Sequence, residues 1–213
     1  MPRAFSRLSL SLFSFIALAT PGFAHHAMGG QTPDTVWTGL ATGMTHPVIG
    51  VDHLAFILAI GVLAAFSRAT LAIPLAFVSG TLAGCLVAVA GVSFAATEWM
   101  VLVSLLAIGL ALALGYKKFG ALELALIALA GLFHGMAYAG GIIGAESSPL
   151  LAYLVGFALV QAAIAVGAMY LTRAIWKGGA VPLAPRVLGG IVVGIGFAFG
   201  VEGVEALMFT GIA

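Results

Sequence analysis

The chain has 213 residues, of which only eight are Lys or Arg and seven Asp or Glu. That is 7% charged, where a soluble domain carries roughly 25%. With 62% apolar residues, 29 glycines, mean hydropathy +1.21 and net charge +1, the composition excludes a soluble enzyme, a disordered segment and a nucleic-acid binder, which needs a basic face. A polytopic membrane protein remains, and its single cysteine, Cys85, can form neither an intrachain disulfide nor a thiolate metal cage.

Residues 1–24 read as a cleaved secretory signal. Arg3 and Arg7 form its basic region, an apolar run follows, and Gly22-Phe23-Ala24 provides a small-x-small cleavage site. Residues 25–213 then form a single membrane domain that begins His25-His26-Ala27-Met28. A free α-amine beside two imidazoles can chelate Ni²⁺ or Cu²⁺ in tetragonal geometry, so His25 and His26 are accessory metal candidates. Residues 36–45, with Trp37 and several glycines, are too short to cross a bilayer and read as interfacial or re-entrant.

Hydropathy and punctuation then predict six spans, at 47–66, 71–92, 97–116, 121–139, 150–172 and 187–209. Backbone groups in hydrocarbon must be satisfied within each segment, and runs of this length suit helices rather than barrel strands. The expected fold is an all-α bundle of six transmembrane helices. Starting from outside, Arg68, the pair Lys117 and Lys118, and the group Arg173, Lys177 and Arg186 all fall in inner loops. Outer loops 91–96 and 140–149 hold no Lys or Arg, so the positive-inside rule puts both mature termini outside the cytoplasm. Trp99, Tyr116, Tyr138 and Trp176 sit near span ends and read as interfacial aromatics. The pairs Gly80/Gly84, Gly131/Gly135, Gly190/Gly194 and Gly196/Gly200 read as close helix contacts. Cys85 and Met100, Met136, Met169 and Met208 read as packing, and Gln161 as a helix-to-helix hydrogen bond.

An ionisable side chain at mid-membrane costs about 2.5 to 3.5 kcal/mol on insertion scales, so each one needs a reason. His46, Asp52 and His53 fall at the outer end of the first span, His134 near that of the fourth, and Glu202 and Glu205 near that of the sixth. All lie in one outer layer. Two imidazoles and a carboxylate suit a borderline divalent metal. On an unbroken helix, however, His46 and His53 are about 10.5 Å apart in rise, and Asp52 points some 100° from His53. Either the backbone is distorted, with Pro47 in a first turn and Gly50 irregular, or the histidines are successive stations. Glu202 and Glu205 share a helix face and could hold a cation or a coupled proton.

The run His46-Pro47-Val48-Ile49-Gly50-Val51-Asp52-His53, a His, five residues, then Asp-His, resembles the HupE/UreJ family of hydrogenase and urease accessory proteins, as does Phe133-His134-Gly135-Met136-Ala137. The signal, the His-bearing mature terminus and the six-span layout also match. The resemblance implies a secondary permease for nickel or cobalt in a bacterial inner membrane, with His46, Asp52, His53 and His134 handling the metal. It implies a transported ion rather than a tightly bound cofactor, and a metalloenzyme-maturation partner. The residues themselves do not distinguish Ni²⁺, Co²⁺, Cu²⁺ and Zn²⁺. In one respect the chain departs from the family pattern: where the second motif continues to a Gly and then a Glu, it has Ala139, Gly140 and Gly141. Glu146, Glu202 or Glu205 would then supply the acid.

Two other classes compete. A rhomboid-type protease also has a six-helix core, but its nucleophile lies in Gly-x-Ser-Gly. Here Phe77-Val78-Ser79-Gly80 lacks the first Gly, and Ser79 falls in the inner half, far from His134. The sequence therefore argues against an enzyme. A non-transporting metal sensor or accessory subunit is consistent with an inner half that holds little polar besides Glu123.

Overall fold

The computed structural model describes residues 32–176 and 180–209. The expected signal peptide, with His25 and His26, lies outside them. Every regular element among the described residues is helical: α1 (Val36–Ile49), α2 (Val51–Phe66), α3 (Ala72–Val89), α4 (Thr97–Ala113), α5 (Ala121–Tyr138) with a 3₁₀ turn (Ala139–Gly141), α6 (Ser147–Ile175) and α7 (Leu183–Phe209). By length and hydropathy α3, α5, α6 and α7 can each cross a membrane, and the bent pair α1 and α2 can supply a fifth crossing. α4 is a shorter apolar helix of 17 residues, about 26 Å long. Each of the six predicted spans thus has its helix, and the protein is a polytopic helical membrane protein.

The largest difference from expectation falls at the first span. Residues 36–45 are part of a 14-residue helix that runs on to Ile49 and turns through 78° into α2. Thr35 caps its start, accepting from the Thr38 amide at 3.1 Å while Thr38 Oγ1 accepts from the Thr35 amide at 2.9 Å. Pro47 therefore lies in the last turn of α1, not in the first turn of a span. Its ring nitrogen cannot donate back to the preceding turn, which weakens the helix there. Gly50, in extended conformation, then serves as C-cap of α1 and N-cap of α2.

α6, with 29 residues, is the spine of the bundle. α1 lies on its first half, where a Cβ on Gly39 or Gly43 would strike the backbone of Pro149 or Tyr153. α2 lies on its second half through Gly61 against Ala165. α3 and α5 interlock through Gly80, Gly84, Gly131 and Gly135, each closing on backbone of the facing helix. α4 and α7 meet at Gly109, Gly189 and Gly196. Of the glycine pairs expected at contacts, Gly190/Gly194 is the exception, since both positions face open space. Gln161 makes the expected helix-to-helix bond, Nε2 donating to Thr81 Oγ1 at 3.2 Å.

These pairs enclose α2, which is apolar all round after its first turn and has eleven of its sixteen residues buried. Its Phe56, Ile57, Ile60 and Leu63 centre the main core. A second cluster gathers Cys85, Tyr138, Tyr153 and Phe157. Hydrogen bonds also gather the basic linkers at one end of the bundle. Arg173 donates to the Ala65 carbonyl at 3.1 Å and to Thr70 Oγ1 at 2.9 Å, tying the end of α6 to the link that carries Arg68. Arg186 donates to the Ala113 carbonyl at 2.7 Å, beside Lys117 and Lys118.

Replacing Gly84 with Leu is expected to lower the thermal midpoint of the detergent-purified protein, because overpacking costs about 1 to 3 kcal/mol. The same change at outward-facing Gly190 is expected to leave it unchanged. Thermal unfolding followed by circular dichroism compares the two.

Candidate functional site

The break at Gly50 decides where the polar residues go. α1 ends and α2 begins at the end of the bundle opposite the basic linkers, so His46 from one helix and His53 from the other line the same cavity. It measures about 220 Å³, and Gly50, Glu98, Tyr138 and Gly141 also line it. That volume holds several water molecules. His46, Asp52, His53 and His134 are all buried, at 6%, 7%, 2% and 0% relative exposure. Gly141 leaves room beside His46, since a Cβ there would stand 3.6 Å from the imidazole Cε1.

A tyrosine and a serine hydroxyl favour one tautomer for each of two imidazoles. Tyr153 donates its one proton to the Tyr138 carbonyl at 3.2 Å. With that proton so placed, its oxygen, 3.1 Å from His46 Nδ1, accepts from that nitrogen, and the His46 lone pair falls on Nε2. Ser104 donates to the Val101 carbonyl at 2.7 Å, so its oxygen accepts from His134 Nε2 at 3.0 Å. The His134 lone pair is then on Nδ1, which has no hydrogen-bond partner among the described residues. Nitrogens carrying lone pairs, oriented by partners on their opposite sides, are the arrangement seen in metal-ligating histidines.

His53 is held differently. Its Nδ1 is 2.7 Å from Asp52 Oδ1, but neighbouring side chains on a helix diverge, and the two atoms lack the alignment of a hydrogen bond. The contact is an electrostatic one in the first turn of α2. His53 Nε2 and the Tyr138 hydroxyl are likewise buried without hydrogen-bond partners among the described residues. Buried polar atoms are rarely left so, and several around one cavity mark a place for water or a polar ligand.

An aromatic ring separates the first two histidines, and the second and third touch. Tyr138 lies 4.9 Å from His46 and 4.1 Å from His53, centroid to centroid. His53 and His134 meet edge to face at 4.8 Å. Below them, Phe56 and Phe77 pack on His134 at 4.4 and 5.4 Å. Among the described residues no three His, Cys, Asp or Glu side chains are grouped closely enough to hold one ion. The imidazoles form a series from cavity to core.

Sequence reasoning missed four contributors. Glu98, in the first turn of α4, lines the histidine cavity and also a second cavity of about 230 Å³ between α4 and α7. Its place at an outer span end was a usable signal. Tyr138 was expected at the interface but is 1% exposed, and no local pattern marks Tyr153 or Ser104. The acids expected to serve instead do not reach the cavity. Glu146 is an exposed cap of α6, and Glu202 and Glu205 are exposed on α7. Ser79 is exposed on α3, away from any catalytic partner for His134, which bonds Ser104.

Fold and site together define a polytopic helical membrane protein with a buried, histidine-lined cavity at one end of its bundle. The chain belongs to the HupE/UreJ family, whose model, described as HupE / UreJ protein, matches residues 13–199. A curated relative, "Protein HupE" from Rhizobium leguminosarum bv. viciae, is 26% identical over 184 residues, covering 81% of this chain and 93% of that protein. No solved structure matches the chain.

The tautomer assignment has a direct check. In ¹⁵N-histidine spectra, Ser104→Ala is expected to remove the Nε2–H preference of one imidazole, and Tyr153→Phe the Nδ1–H preference of another. Unchanged spectra in both variants would contradict the hydrogen-bond network.

Proposed function

We propose that this protein is a permease for a divalent transition-metal ion, Ni²⁺ or Co²⁺, taken up from the side of the histidine cavity. The observation that carries the proposal is that two imidazoles and a carboxylate, His46, His53 and Glu98, line one buried cavity in an otherwise apolar bundle. The HupE/UreJ family is associated with accessory roles for nickel and cobalt in hydrogenase and urease maturation, as transport or accessory proteins rather than catalysts.

In this reading Glu98, shared with the outer cavity, attracts the hydrated cation. Imidazole nitrogens then replace its water: first His46 Nε2, then His53 beside Asp52, then His134 Nδ1. Nitrogen donors favour these metals over Mg²⁺ and Ca²⁺, which prefer oxygen. The Asp52 carboxylate offsets the positive end of the α2 dipole, which would otherwise repel a cation at His53. Binding requires neutral imidazoles and so competes with protons. The basic linkers at the opposite end orient the bundle in a bacterial inner membrane, with the histidine cavity and both mature termini facing out.

A second reading, a membrane subunit that binds metal and passes it to a maturation partner without translocating it, draws on one feature. Phe56 and Phe77 close the core side of His134 with apolar rings.

Uptake of radiolabelled nickel into cells, with cobalt, zinc and magnesium as competitors, tests the proposal. His53→Ala is expected to reduce uptake to background at normal membrane abundance. Tyr153→Phe, which removes the hydroxyl that bonds His46 and the Tyr138 carbonyl, is expected to weaken apparent affinity by about 10- to 100-fold. Undiminished uptake by His53→Ala would overturn the assignment. Metal binding by the purified wild type without uptake in cells would favour the accessory subunit.

A further inference from the structure

The end of α4 shares its glycine reversal with the end of α3, at Gly91, but adds an arginine cap and two lysines. The helix stops at Gly115, whose φ of +73° lets the Tyr116 amide return to the Ala111 carbonyl at 2.8 Å and the Gly115 amide to Leu112 at 3.0 Å. The Leu114 amide takes the Leu110 carbonyl at 2.9 Å, and Arg186 takes that of Ala113 at 2.7 Å. All four terminal carbonyls are therefore occupied, and the helix end presents no open oxygen to an approaching anion. This reversal also carries exposed Lys117 and Lys118 back beside the helix.

Two apolar clefts converge on the same point. One, of about 300 Å³, runs between α4 and α5 from Ser104 and Phe133 to Tyr116. The other, of about 670 Å³, follows the adjoining face of α4 along Leu110 and Leu114 and ends at Lys117 and Lys118. They share Ala107, Ala111 and Tyr116. One acid stands at the meeting point, Glu123, and its oxygens accept from the Tyr116 hydroxyl at 2.7 Å and the Gly120 amide at 2.8 Å. Lys117, Lys118 and Arg186 outweigh it. α4, about 26 Å long, is also shorter than the ~30 Å hydrocarbon core, and long basic side chains at the end of such a helix can snorkel to the headgroups.

We propose that this end of α4 binds one anionic diacyl phospholipid from the surrounding bilayer. Its phosphate lies against Lys117 and Lys118, and one acyl chain occupies each cleft. A single fatty acid would fill one cleft only, and a soluble anion neither. A zwitterionic headgroup would forfeit most of the attraction of the lysines. The chain between α4 and α5 would end against Ser104 and Phe56, which hold His134, and would seal that side of the histidine series. The proposal does not depend on metal transport.

The test is native mass spectrometry of the detergent-purified full chain with phosphatidylglycerol and phosphatidylcholine of identical acyl chains. The wild type is expected to retain phosphatidylglycerol preferentially. The double variant Lys117→Gln, Lys118→Gln, changed only at exposed positions, should lose that retention about tenfold or more, since each surface lysine is worth roughly a factor of five against an anionic lipid. Its phosphatidylcholine retention should not change. Ala107→Trp, which intrudes on both clefts from an exposed position, should reduce retention of either lipid. Equal retention of the two lipids by the wild type, or an undiminished preference in the lysine variant, would overturn the proposal.

Discussion

A helix that stops inside hydrocarbon leaves its last carbonyls and the next helix's first amides to be satisfied locally, and this chain makes such a stop at Gly50. The stop is tolerated because α1 is wedged against α6 and the broken ends face a polar cavity instead of lipid. Most of the rest depends on it. Without the 78° turn, His46 and His53 would lie about 10.5 Å apart along one rod. With it, the carbonyl end of one helix and the amide end of another meet at a single cavity, and each brings a histidine.

Such a cavity needs rigid walls, and in lipid no hydrophobic effect drives helices together, so close packing has to hold them. Glycines on α3, α5 and α6 let backbones touch and fix the rings that line the site. The same closeness carries hydrogen bonds between helices. Tyr153 on α6 orients His46 on α1, and Ser104 on α4 orients His134 on α5. Each imidazole is set by a residue more than twenty positions away in the chain. The Tyr138 ring stands between His46 and His53, while His53 and His134 touch edge to face.

Much of this was legible beforehand. Hydropathy located every helix but α1 to within a few residues, because a 20-residue apolar run has few alternatives in a bilayer. Lysine and arginine alone placed the basic linkers at one end, which Arg173 and Arg186 bear out by hydrogen-bonding to neighbouring helix ends there. The first span was misjudged because Pro47 favours a first turn by its own conformation, while its actual place in a last turn depends on α1 finding a berth on α6. Tyr138 looked interfacial because its distance from the span end matches that of an interfacial aromatic; only the neighbouring helices bury it. Glu98 was overlooked because nothing nearby in the chain ties it to a histidine.

By itself, then, the sequence determined the solvent, the class of fold, the end of the bundle that carries basic charge, and the histidines that required an explanation. Those properties follow from composition and spacing, which act locally. The tertiary structure decided which acid joins the histidines, which hydroxyls bond the imidazoles of His46 and His134, and that the imidazoles form a series and not a cage. Those depend on atoms from different helices meeting within a few ångströms, and no local pattern encodes that.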